Sequence, residues 1–208
     1  MGSVMGTLAL LVAAAWGQEG PATYQVQAAQ SALDVLVRYD RSAAMAGHDH
    51  VLRGTGVTGS VTWDPANPAA CDVKLSFPVS SLAVDPAGAR AKAGLAGETS
   101  EGDKRKILEN ALGKSQLDAA AFPTISFQSS RCAAAGDKTA VSGTLKVHGV
   151  GKAVTATMVI RVEGSTLAAS GAFSATHEDF GMKPFTALLG ALRNDTNLKF
   201  TVDVRATR

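Results

Sequence analysis

Aromatic residues are scarce in this chain, 5% of 208 residues, and a platform for stacking nucleic-acid bases needs more of them. Charge of one sign is lacking too. Twenty Lys and Arg stand against 18 Asp and Glu, for a net charge of +2, and no basic run or stripe occurs. Nucleic acid is therefore not an expected partner. No apolar run is long enough to span a bilayer, so stable membrane insertion is not expected either. The chain has no Gly-x-Ser-x-Gly elbow, no His-Glu-x-x-His and no phosphate-binding loop. Glu178 and Asp179 are adjacent, so their side chains diverge rather than pair as acid and base. No catalytic residues are assigned, and the chain is not expected to be an enzyme. Cysteines number only two, Cys71 and Cys132, and neither has a second sulfur or a His at ligand spacing, which argues against a cysteine metal site. An even count fits an oxidising compartment and a disulfide bridge.

What the chain does have is alternation. Leu33, Val35, Val37 and Tyr39 share one face of a first segment, Val57 to Trp63 gives a second, and Val73, Leu75, Phe77 and Val79 a third. Ile125/Phe127, Val141–Val147, Val154–Ile160, Ala169–Ala175 and Leu198–Val204 continue the series. Period-2 alternation marks a strand with one buried and one wet face. A meander of about eight such strands removes its edges by closing into a barrel, wide enough to be filled by side chains or to hold one small ligand. The fold class is mainly β: an antiparallel, lipocalin-like barrel. If the strands carrying Cys71 and Cys132 pair antiparallel, the two thiols become neighbours and should be bridged.

Three stretches break the pattern. Leu8 to Ala15, followed by small residues and then by Gln18 and Glu19, resembles the apolar region of a secretory signal, so residues 1–17 are expected to be removed. Met1 to Thr7 nevertheless holds no Lys or Arg. Pro86 to Phe122 has no strand period. Within it, Ser100 and Asp103 resemble a capping box, with Ile107, Leu108, Ala111 and Leu112 on one helical face and Gly113 as a stop. This helical insert is expected to lie across one barrel mouth or to plug an open seam, and its exposed face leaves room for a homodimer contact. Between His177 and Asn197, a short helix near the C-terminus could turn Phe185, Leu188, Leu189 and Leu192 to the core.

The order of Tyr24…Ser31, Gly47-His48-Asp49-His50 and Gly54-x-x-x-x-Gly59-x-Val61 resembles the YceI-like family of secreted or periplasmic lipid-binding proteins. Phe122-Pro123-x-Ile125-x-Phe127-x-Ser129, Gly143-x-Leu145-x-Val147-His148-Gly149-Val150 and Asp179-Phe180-Gly181 extend the likeness over residues 24–206. The family's Arg-Asp-x-His-Leu run before the helix is not recognisable; Gly102-Asp103-Lys104-Arg105 stands nearest it. The resemblance implies a lipocalin-like barrel that holds an isoprenoid or other long amphiphile, in a secreted or periplasmic protein that sequesters or transports it.

The residues themselves point the same way. Val73, Leu75, Phe77, Phe127, Leu145, Val147, Met158 and Phe173 would converge on an apolar lumen, which selects an apolar guest such as an isoprenoid-type lipid or quinone-like molecule. Gly56, Gly59, Gly143, Gly171, Ala156, Ala169 and Ala175 would leave that lumen under-filled, whereas a solid core would want bulk there. His48, His50 and His148 would meet a ligand head group or lock loops by hydrogen bonds. The alternative is a metal-binding stress-response protein, in which His48 and His50 share one face at ligand spacing and His148 or His177 adds a third imidazole. No cofactor is expected.

Overall fold

The structure, a computed structural model, describes residues 20–208; the expected signal segment 1–17 lies outside them. The chain forms one antiparallel sheet that closes on itself as a barrel of eight staves, three of them broken in two. The first stave is β1 (Ala22–Val26) and β2 (Ala32–Tyr39), split by a 3-10 turn at Ala28–Gln30. The second is β3 (His50–Gly54) and β4 (Thr58–Trp63), and the third is β5 (Asp72–Pro78) and β6 (Leu82–Val84). After two helices, α1 (Ala89–Lys92) and α2 (Glu101–Leu112), come β7 (Thr124–Ala135), β8 (Lys138–Val147), β9 (Val150–Glu163) and β10 (Thr166–Thr176). A two-residue β11 (Thr186–Ala187) precedes the long β12 (Leu192–Thr207). β12 takes β10 on one side and both halves of the first stave on the other, which closes the sheet and leaves an edge only at β6.

The breaks are held by side chains where the ladder stops. At the first, the Ser31 hydroxyl donates to the Arg205 carbonyl at 3.2 Å and accepts from its N–H at 3.0 Å. At the next two, the Ser81 hydroxyl donates to the Thr55 carbonyl at 2.6 Å and the Thr55 hydroxyl donates back to the Ser81 carbonyl at 3.1 Å. Side-chain hydroxyls thus pair the Arg205, Thr55 and Ser81 carbonyls at the breaks. β6 pairs only with β3, because the chain departs after it and returns at Thr124. α2 packs against that seam. Its start is fixed by Ser100, whose hydroxyl accepts from the Asp103 N–H at 3.1 Å and donates to the Asp103 carboxylate at 2.7 Å. Leu108 and Leu112 of α2 pack on the main core, while Ile107 and Ala111 face a cavity.

The core is layered along the barrel. Tyr24, Val61, Trp63, Leu167, Val204 and Ala206 plug the far end. The disulfide Cys71–Cys132, with Cα atoms 6.0 Å apart, sits beside Val141, Ala156 and Met158. Leu36 and Val51 point outward, yet they are buried because Ala89, Ala93 and Leu95 lie over them.

Cys132 lies within β7, which runs on to Ala135 through a bulge between Ser129 and Arg131, and the Ser129 hydroxyl takes the Val73 N–H at 2.8 Å where β5 pairing ends. Two expectations need correction. Between His177 and Asn197 the only helical elements among the described residues are single 3-10 turns, at Glu178–Phe180 and Leu188–Gly190, and no helix turns Leu188 and Leu189 to the core. Leu188 and Leu189 form a tight turn with φ of 51° and 56° and stand exposed, and β12 follows directly. Nor do Gly143 and Gly171 hollow the lumen. A Cβ on Gly143 would sit 2.3 Å from the Gln128 carbonyl oxygen, and one on Gly171 2.4 Å from that of Thr157. These glycines let neighbouring strands approach.

Candidate functional site

The barrel opens at the end where β2, β6, β8 and β10 finish and β12 begins. Behind that mouth lies a cavity of about 580 Å³ with a mostly apolar wall. A deeper compartment of about 100 Å³ follows, in which Ser126 is the one residue with a polar side chain. Leu33, Phe77 and Ile125 border both spaces and form the waist between them. Phe173 of the deep compartment stacks on Phe200 of the mouth cavity, with ring centroids 4.6 Å apart and planes 3° from parallel. Strand parity produces this lining, since alternate residues of every stave face inward.

The structure brings most of the sequence-derived residues together. Phe77 and Val147 line the mouth cavity, while Phe127, Leu145, Met158 and Phe173 line the deep compartment, with Val73 and Leu75. His48 and His50 border the mouth cavity. His148 does not line either space. It occupies the β8–β9 turn at φ 50°, beside Gly149 at 75°, in the left-handed pair that a two-residue hairpin requires. Its ring lies edge-on to Phe122, centroids 4.9 Å apart, and Nδ1 donates to the Phe180 carbonyl at 3.3 Å. His148 therefore locks loops and is removed from the ligand-facing set.

Sequence reasoning missed the hub of the mouth. Asp85 follows β6 at φ 44°, and its side chain is fully enclosed. It accepts hydrogen bonds from His50 Nδ1 at 2.8 Å, the Val51 N–H at 2.8 Å, the Thr99 hydroxyl at 2.6 Å and Arg90 Nη1 at 3.1 Å. Burial pushes the Asp85 carboxyl up, but the hydrogen bonds from His50, Thr99 and Val51 outweigh it and hold the group below the usual carboxylate value. Arg90 also donates to the carbonyls of Asp49, Ala96 and Gly97 at 2.9, 2.6 and 2.8 Å. The cluster straps residues 85–99 across the mouth. The only sequence signal for it is an acidic residue and an arginine in a segment without strand period.

On the metal alternative, His50 gives its Nδ1 hydrogen to Asp85, a bond that leaves Nε2 open, and the His48 and His50 ring centroids are 6.4 Å apart. His148 and His177 each give Nδ1 to a backbone carbonyl, of Phe180 and of Thr196. Among the described residues, no group of three or more His, Cys, Asp or Glu is placed to hold a metal ion. Nor, among them, is any helix long and apolar enough to cross a membrane.

Comparison with known proteins agrees with this architecture. Among solved structures, BcnA of Burkholderia cenocepacia superimposes with a TM-score of 0.64 at 20% identity, over 88% of this chain and 99% of that one. The YCEI protein of Campylobacter jejuni gives 0.56 at 13% identity, over 79% of this chain and 86% of the other. At such identities the likeness shows the fold alone. No match was found among curated protein sequences. The sequence pattern of the YceI-like domain matches residues 24–205, and with a closed antiparallel barrel over the same span, the chain belongs to the YceI-like family.

Proposed function

We propose that this protein binds one apolar or amphiphilic molecule, an isoprenoid-type lipid or quinone-like compound, inside the barrel, and sequesters or carries it outside the cytoplasm without transforming it. The observation that carries this reading is the cavity of about 580 Å³, mostly apolar, with its polar groups gathered towards the mouth. Ligand pockets have this size and makeup. The Cys71–Cys132 bridge supports a compartment outside the cytoplasm, where disulfides persist. The family fixes the barrel far better than the cargo, so the reading rests on the cavity rather than on kinship.

Retinol tests it, because this isoprenoid alcohol fluoresces more strongly once buried. Titration should show saturable enhancement at one molecule per chain. Absence of enhancement, with tight copper or zinc uptake lost in His48→Ala and His50→Ala, would overturn the reading in favour of the metal alternative. Cell fractionation tests the compartment: the protein should be recovered outside the cytoplasm with no free thiol, and a reduced cytoplasmic protein would contradict it.

A further inference from the structure

His177 is the buried polar residue of the mouth cavity that the strap does not explain. It follows β10 directly, is 4% exposed and lines the cavity. β12 bulges between Asn194 and Leu198 on its β2 side. Within that bulge the Thr196 carbonyl accepts both the His177 backbone N–H at 3.0 Å and the ring Nδ1 at 3.0 Å. A carbonyl can only accept, so Nδ1 carries the hydrogen and Nε2 of the neutral ring is a lone-pair acceptor. Among the described residues Nε2 has no hydrogen-bond partner. Every fully enclosed side-chain nitrogen or oxygen there does have one. An unpartnered Nε2 must therefore open on free space, and the space His177 adjoins is the cavity.

Resting on the carrier reading above, we propose that His177 Nε2 accepts a hydrogen bond from the head group of the bound molecule, and that the cargo is accordingly a hydroxyl-bearing amphiphile, an alcohol or phenol, rather than an ether, an ester or an anionic phosphate. Burial pushes the His177 imidazolium down, with the Thr196 carbonyl opposing, so the ring is neutral at pH 7 and offers no cation to an anion. An ether or ester oxygen would set lone pair against lone pair. A hydroxyl supplies the missing donor, and leaving a buried acceptor unpaired is costly. With the head at His177, the tail has an apolar path past Phe200 and the waist towards the deep compartment, where Ser126 is the one polar exception.

Retinol and its methyl ether, which share the isoprenoid body and differ in the donor, test this. The wild-type protein should bind retinol about tenfold more tightly than the ether, as one hydrogen bond in a buried site implies. In His177→Phe, which keeps a ring of similar size, the two affinities should converge. Equal affinities in the wild type, or a preference that survives in His177→Phe, would overturn the assignment while leaving the carrier reading intact. Failure of both compounds to bind would overturn both. The wild-type comparison stands even if the variant does not fold.

Discussion

Asp85 draws four hydrogen-bond donors of the mouth onto one enclosed carboxylate. Removing it in Asp85→Ala would strand His50 Nδ1 and take from Arg90 its carboxylate partner, with both side chains mostly buried. Breaking a buried pair from one side costs about 3–5 kcal/mol, and chemical denaturation should read a loss of that order. The acid response has a defined sign. The folded carboxyl lies below its unfolded value of about 3.9, so unfolding takes up a proton. Stability from Asp85 is complete above that value and drains as pH falls through the lower folded one. His177 works in the same direction at higher pH: the unfolded ring protonates below about 6.5 while the buried ring resists, so acidification through that range favours unfolding. Asp85→Asn should weaken the lower-pH part of this dependence, to which Asp40, Asp72, Glu101 and Asp179 also contribute, and keep the upper part, which melting temperatures measured from pH 3 to 8 would show. At this scale the sequence was only half legible. His48 and His50 stand out as a pair, but Asp85 lies 35 residues from His50. No periodicity links a residue beyond a strand's end to a residue at another strand's start.

Among the elements, alternation located the staves because each faces water on one side and the lumen on the other. It could not show the breaks in the first three, since Ser31, Thr55 and Ser81 act through side-chain bonds that leave no period in the sequence. Ser100 and Asp103 made α2 readable in advance. Leu188 and Leu189 misled because their spacing fits a helix, while in the fold they form a turn. The disulfide closes a separation of 61 residues, for which chain entropy predicts a contribution of about 4 kcal/mol. Cys71→Ser with Cys132→Ser should lower unfolding stability by up to that amount, and an unchanged denaturation midpoint would contradict it. Ala156 lines the deep compartment of about 100 Å³. Ala156→Phe should fill that space at a stability cost no greater than the ~1–3 kcal/mol of overpacking. It should weaken a C20 isoprenoid alcohol more than a C10 one. Equal losses for both chain lengths would show that no tail enters the compartment.

For the whole molecule, closure of the sheet and the plug around Tyr24, Trp63 and Leu167 leave the mouth beside α2 as the way into the cavity. A container with a mostly apolar wall lowers the free energy of an apolar guest by removing its surface from water. The barrel and its lumen were legible in the sequence because they follow from strand parity; the strap and the pairing of His177 with Thr196 were not, because they depend on where separate segments meet. Organic-solvent extraction of the protein, purified without detergent from the cells that make it, followed by mass spectrometry, tests whether the barrel carries such a guest. A dominant apolar molecule carrying a hydroxyl group, close to one per chain, is expected. An extract with no such molecule, from protein that also fails to take up retinol, would contradict the carrier reading.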